Sequence, residues 1–360
     1  MSIENTSQDT IKPAKIGAIN ALRFCAALFV VFYHFGFAYF YRDLNYVNVP
    51  ILRYLFQYGY LGVDLFFIIS GFVISLSAEN RTAYTFVKSR IGRLYPIFWV
   101  CAIITTLFLL FGGDVIYSYM SWNRFLTNIT MFPNFFNTDP LDGTYWTLVI
   151  EMKFYFIILL FLLFKQFKRI EKIAIPVSCI MLYVAIFDPN LSAESQYVWI
   201  PNFIAGVIFY KIYKAGLTAP RIFTLCTTLI ATLLFTLKRI PYLSEGYGVA
   251  FKPSIISLYI LLFYLFFLLL SLHKLNFPNN KYINILGLLT YPLYLLHQQI
   301  GRILFTYANI KNIPLWISFI SILFFVFGLS YMVHQLFERR GKIILDKTLD
   351  KIIPSTLKRL

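Results

Sequence analysis

Charge is what this chain has least of. Only 13% of its 360 residues are Asp, Glu, Lys or Arg, where a soluble globular domain carries about 25%. With 59% hydrophobic residues and a mean hydropathy of +0.69, a water-soluble fold is excluded. Acid is scarcer still, with 16 Asp and Glu against 32 Lys and Arg. No Walker loop, dinucleotide fingerprint or zinc spacing is present, which removes the common phosphate-cradling, hydride-transfer and zinc chemistries. Cys25, Cys101, Cys179 and Cys226 all fall in apolar stretches with no close spacing. They are expected to be buried small hydrophobes, with neither a disulfide framework nor a metal centre. The first 15 residues lack an apolar core with a small-residue cleavage site. A cleaved signal peptide is not expected there, and the first apolar run is expected to act as an uncleaved anchor.

What the chain does have is long apolar runs. A bilayer crossing takes about 20 mostly apolar residues. Ten runs are legible, at about 16–40, 59–78, 94–112, 144–164, 173–187, 198–213, 222–237, 254–273, 282–305 and 315–337, the fifth and sixth being short. The expected fold is an all-α polytopic membrane protein, a bundle of about ten transmembrane helices. Its expected organisation is a cytoplasmic segment 1–15, a transmembrane domain 16–340 and a basic cytoplasmic tail 341–360. With ten spans, the loops on the side of the termini hold 22 of the 32 Lys and Arg and the opposite loops hold 7. The positive-inside rule then places both termini in the cytoplasm. It also accounts for the formal charge of +16 without any nucleic-acid partner; the bilayer is the partner this composition requires. The tail alternates basic and apolar positions and is expected to lie on the inner leaflet as an amphipathic helix.

Ionisable groups inside such spans are costly and mark function by default. Arg23 and His34 stand in the first span. Eleven helical residues make about three turns and rise roughly 16 Å, so the two share a face, with the Arg near one surface and the His deep toward the other. Snorkelling for Arg23 and a packing hydrogen bond for His34 are the plainer alternatives. Asp64 opens the second span and is placed to orient His34 or to receive its charge, or simply to meet interfacial water. Ser70 and Gly71 read as packing residues. Arg90 and Arg93 are at i, i+3 before the third span and point the same way, a geometry that suits phosphate. Glu151 and Lys153 interrupt the fourth span two residues apart and so face different directions. By helix rise, Asp64, Glu151, His34 and His297 fall at similar depth. His297 with Gln298, Gln299 and Arg302 is placed to line a polar acceptor cavity. The loop 113–143 carries Tyr117, Tyr119, Trp122, Phe132, Phe135 and Phe136, expected as interfacial anchors or as a platform for a sugar chain.

These residues resemble the acyltransferase family 3 membrane proteins, bacterial acylases of surface carbohydrates. The resemblance rests on R-x10-H at Arg23–His34, GVDLFFIISGF at 62–72, RIGRLYP at 90–96, WTLVIEMKFY at 146–155, TYPLYLLH at 290–297 and Glu338 closing the last span. It runs in order over residues 17 to about 340. One departure is that relatives often carry two adjacent acids where this chain has Glu151 followed by Met152 and Lys153. The resemblance implies a bacterial inner-membrane O-acyltransferase, most plausibly an O-acetyltransferase, with no permanently bound cofactor. Acetyl-CoA or another acyl-CoA would be the cytoplasmic donor. A surface polysaccharide such as O-antigen or capsule, or its lipid-linked precursor, would be the acceptor. It makes His34 essential, as general base or transient acyl carrier, with Asp64 or Glu151 orienting it. Arg23, Arg90 and Arg93 would hold the donor, and Trp146, Tyr155 and His297 the acceptor. Many relatives continue into a soluble esterase-like domain; this chain stops at 360, so it is expected to act alone or with separate envelope-synthesis proteins. The alternative of another class is a transporter or flippase for an envelope glycolipid. That would favour inverted repeats, and none is legible.

Overall fold

A computed structural model describes residues 13–42, 50–116, 120–188, 195–275 and 277–352. It is helical nearly throughout, with no strand among the described residues. The long helices are α1 (Pro13–Tyr33), α2 (Gly62–Ala78), α3 (Ala83–Gly112), α4 (Trp146–Leu163), α5 (Ile170–Phe187) and α6 (Ile200–Ala215). They are followed by α7 (Ala219–Lys238), α8 (Pro253–Ser271), α9 (Lys281–Ile310), α10 (Leu315–Val333) and α11 (Arg339–Ile352). Each of α1–α10 falls on one of the ten apolar runs. Eight described helical segments are long and apolar enough to cross a membrane. Outside that set are α6, only 16 residues long, and α9, whose 30 residues carry the polar positions around His297. Both are enclosed by other helices, so they need less apolar surface than a lipid-facing span. Loops expected on the side of the termini meet one another: Glu79 pairs with Lys214 at 3.3 Å, and residues 78–82, 162–168 and Lys211 surround one groove.

Small residues decide how closely the helices approach. The most extensive helix contact is α2 with α6. A Cβ at Gly71 would lie 2.3 Å from the Phe203 carbonyl oxygen, and one at Gly206 would lie 2.2 Å from that of Ile68. Backbones this close gain van der Waals contact that larger residues forbid, which is how apolar helices associate where no water drives them together. Gly62 does the same for α2 against α1, where a Cβ would lie 2.5 Å from the Ala26 carbonyl oxygen. The second most extensive contact, α1 with α9, carries the site. Beyond Tyr33, α1 widens into a π turn, His34–Ala38. Such turns are frequent at functional positions. Here Phe35 packs onto Gly301 of α9, whose added Cβ would sit 2.5 Å from its ring.

One expectation is corrected. The cysteines are not all buried: Cys101 is, whereas Cys25, Cys179 and Cys226 lie on the outer surface of the bundle. A lipid-facing surface accepts the same apolar side chains as the core, so composition does not separate the two. The loop after α3 stays close to the bundle. It folds back along α3, with Trp99 Nε1 donating to the Ile129 carbonyl at 3.1 Å and the Tyr95 hydroxyl to that of Thr130 at 3.2 Å. Trp99 is thirteen residues before the end of α3, about 20 Å by helix rise. Irregular backbone at such depth must be hydrogen-bonded internally. Asn128 meets this need by donating to Asp139 O at 2.9 Å and accepting from Leu141 N at 2.8 Å. Trp122, Phe135 and Phe136 are exposed, and neither they nor Phe132 line the cavity described below; Tyr117 and Tyr119 lie outside the described residues. The tail forms a helix, α11, that is tied to the start of α3. Asp350 accepts from Lys88 and from the Tyr84 hydroxyl, each at 2.6 Å.

The glycine crossing yields a direct test. Gly71→Ala and Gly206→Ala should each lower stability by about 1–3 kcal/mol through overpacking. Gly328→Ala, where a Cβ meets nothing within 4 Å, should be neutral or stabilising. Thermal unfolding of the detergent-solubilised protein distinguishes them; an unchanged midpoint in Gly206→Ala would refute the close crossing.

Candidate active site

Three arginines gather at the inner end of the bundle. Arg23, Arg90 and Arg93 line one narrow cavity of about 40 Å³ together with Ser70, Glu151 and Tyr155. Arg90 and Arg93 reach it together because i, i+3 positions share a helix face. Glu151 is the only carboxylate among the described residues lining it, so the cavity is cationic. Arg90 is buried and donates to Ser77 Oγ at 2.8 Å, while its Nε and Nη1 meet no acceptor in hydrogen-bonding geometry. Unpaired buried donors of this kind are a standing site for an anion. Glu151 is held from two sides, accepting from Ser70 Oγ at 2.9 Å and from the Tyr155 hydroxyl at 2.6 Å. Ser70 therefore does more than pack.

Two further cavities follow this one along the bundle, each sharing lining residues with the last. A second space of about 60 Å³ is bounded by Arg23, Ser70 and Glu151 on one side and by Val63 and Tyr294 on the other. Val63 and Tyr294 in turn line a much larger outer cavity of about 570 Å³, within the range of small-molecule sites. His34 lines that cavity, while Arg23 lines the two smaller ones.

His34 meets His297 there, with His34 Nδ1 and His297 Nε2 3.1 Å apart. The carbonyls around the pair determine its protons. His297 Nδ1 lies 2.9 Å from the Tyr294 carbonyl oxygen and 3.2 Å from that of Leu293, so this nitrogen carries the hydrogen. A neutral imidazole then has a lone pair on the other nitrogen, and His297 Nε2 becomes an acceptor. His34 Nδ1 faces that acceptor and the Val30 carbonyl oxygen at 2.9 Å, so it too carries a hydrogen. The lone pair of His34 is left on Nε2, which has no hydrogen-bond partner among the described residues, on a side chain that lines the outer cavity. This is the arrangement a general base or a nucleophile needs, with one nitrogen held and the other open.

The outer cavity is walled by aromatic rings and cations. Trp146 and Trp199 lie with ring centroids 5.6 Å apart, and the Arg239 guanidinium stands 4.5 Å over Trp199. Gln298 and Arg302, one and five residues beyond His297, line the cavity as expected. Gln299 does not. It is buried, and its backbone N–H donates to Asp142 Oδ2 at 2.8 Å. Asp142 also accepts from Thr144 N at 2.8 Å and Thr144 Oγ1 at 2.6 Å. It thereby pins the start of α4 to α9 beside the histidines. The Asp-Gly-Thr turn ahead of a span is the local signal for that role.

Two expected partners of His34 are elsewhere. Asp64 is buried and accepts from Asn202 Nδ2 at 3.0 Å, whose Oδ1 accepts from Thr232. Val63 lines the second and outer cavities, and the next residue on a helix turns about 100° away, which sends Asp64 toward α6 instead. Glu151 is not in the His34 layer either. Trp146 is level with His34, and five residues of rise put Glu151 about 8 Å deeper, among the arginines. Tyr155 accompanies it there and so lines the inner cavity, not the acceptor side; Trp146 does line the outer one. Lys153 faces away and is bonded to Gln196. Arg239, read from sequence only as a loop charge, is the cavity residue that was missed.

Residues 16–335 match the acyltransferase family 3 profile, described as an acyltransferase domain. Among curated proteins, the chain is 27% identical over 205 residues to peptidoglycan O-acetyltransferase OatA of Listeria monocytogenes serovar 1/2a, covering 49% of this chain and 30% of the relative. It is 30% identical over 192 residues to putative peptidoglycan O-acetyltransferase YrhL of Bacillus subtilis, covering 48% of this chain and 28% of the relative. The match thus spans less than a third of either relative's length. No solved structure matches. The profile covers most of the chain, and the described helices are those of a multi-pass membrane protein: the chain belongs to the acyltransferase family 3.

Proposed function

We propose that the chain is a bacterial inner-membrane O-acetyltransferase, moving acetyl from cytoplasmic acetyl-CoA to a hydroxyl of an extracytoplasmic envelope glycan. The acceptor class is a surface polysaccharide or its lipid-linked precursor. The observation that carries this reading is the series of cavities from three arginines to the open nitrogen of His34. Arg23, Arg90 and Arg93 hold the donor's phosphates at the inner end. The middle cavity is too narrow for a nucleotide but suits the slender pantetheine arm, whose thioester then reaches His34 about 16 Å from Arg23. The relatives' names, both of O-acetyltransferases, support acetyl as the group transferred.

In the chemical step, the acceptor hydroxyl gives its proton to His34 Nε2 as its oxygen attacks the thioester carbonyl. The C–S bond then breaks, and the departing thiolate takes the proton back from His34. His297 and the Val30 carbonyl keep the Nδ1 proton in place throughout. Asp64 has no part in this step, and Glu151 serves to balance the arginines.

His34→Ala should cut glycan ester by at least 10²-fold, the usual scale for a general base, while the protein still accumulates in the membrane. His297→Ala should give a smaller defect, because the Val30 carbonyl still holds the proton on Nδ1. Ester analysis of envelope glycans from a deletion strain carrying each variant tests both, and normal ester content with His34→Ala would sink the mechanism.

The donor site is tested separately. Hydrogen bonds to charged groups contribute about 1.5–3 kcal/mol, so Arg90→Ala or Arg93→Ala should raise KM for acetyl-CoA roughly 10–100-fold. Lys at either position should recover part of the loss, because it keeps the charge but not the fork. Unchanged acetyl-CoA dependence would reduce these arginines to topology signals.

A further inference from the structure

The outer cavity is built from two kinds of group, and one of them has no role in the acetyl transfer as proposed. Arg239, at the end of α7, and Arg302, five residues beyond His297 on α9, both line it. No carboxylate is among the described residues that do. Two buried acids stand nearby: Asp142 is held by Thr144 and Gln299, and Asp64 is bonded to Asn202 and offsets part of the Arg239 charge, which leaves two cations against one acid. Arg239 is held against Trp199 and its Nε is buried without an acceptor. Cations at membrane depth are costly and persist where they meet charge of opposite sign. A concave site of one sign also concentrates ligands of the other. The guanidinium is the planar, two-pronged donor that matches carboxylate and phosphate.

The geometry points to an anionic acceptor, a glycan with a carboxylate or phosphate close enough to the acylated hydroxyl for Arg239 and Arg302 to hold one while His34 meets the other. This rests on the acyltransferase reading and names its acceptor class. Trp146 and Trp199 supply the apolar shelf for the sugar ring, and Arg239 stands at the end of that shelf. The anion has two possible sources, an acidic sugar of the glycan itself or the phosphates that join a lipid-linked glycan to its carrier.

The test is equilibrium binding by calorimetry to the full chain in nanodiscs, with no acyl donor present. The probes are a galacturonic acid tetrasaccharide, the same tetrasaccharide with its carboxyl groups reduced to alcohols, and inorganic pyrophosphate. At least one anion should bind tenfold or more tightly than the reduced sugar. Arg239→Gln and Arg302→Gln should each weaken that binding at least fivefold, and Arg→Lys should weaken it less, which separates lost recognition from misfolding. Tighter binding of the acidic sugar assigns the charge to the glycan; tighter binding of pyrophosphate assigns it to the lipid linkage. Equal affinity for acidic and reduced sugar with no pyrophosphate binding, wild-type affinity in the Gln variants, or no binding of either anion would overturn the inference. Because no acetyl group moves, failure here is distinct from failure of the transferase reading, which the ester assay scores.

Discussion

Two imidazoles on helices 263 residues apart in sequence meet at 3.1 Å, and the function of the bundle is arranged around that contact. It forms only because α1 and α9 pack closely, with Gly301 admitting the ring of Phe35 beside it. It works because each Nδ1 faces a carbonyl one helical turn back, Val30 for His34 and Tyr294 with Leu293 for His297. Inside a membrane the backbone is rarely free to bond a side chain, and here the π turn begins at the histidine itself. The result is an imidazole whose open nitrogen is chosen by the fold, and as the proposed base it needs no carboxylate to orient it. That explains how the site accommodates an Asp64 turned toward Asn202.

The second constraint is separation. Three arginines beside a basic histidine would oppose the positive charge it gains during proton transfer. The structure sets them in a separate cavity with Glu151 among them, so under the proposed function the charge that binds the donor is not next to the base. A wide cavity on the other side leaves room for a bulkier acceptor.

Much of this was legible in the sequence, because helix geometry is periodic. Apolar run length placed α1–α10, the eleven-residue spacing put Arg23 and His34 on adjoining cavities, and i, i+3 put Arg90 with Arg93. What was not legible depends on rotation and contact between helices. Depth alone could not tell Asp64 from His297 as the partner of His34, since both lie near the same level and only packing decides which way each faces. Counting Glu151 from its loop placed it too shallow, because helix entry at Trp146 is already level with His34. Ser70 read as a spacer until Glu151 was opposite it. Arg239 carried no signal beyond a loop cation, and the return of residues 120–142 along α3 has no periodicity to betray it.

The central claim is that donor and acceptor reach His34 from opposite faces of the membrane. Inside-out vesicles expose the cytoplasmic face to the medium and enclose the opposite face with its glycan. Labelled acetyl-CoA added outside should place label on glycan held in the lumen, and His34→Ala vesicles should not. Label confined to glycan on the same side as the CoA would contradict the account.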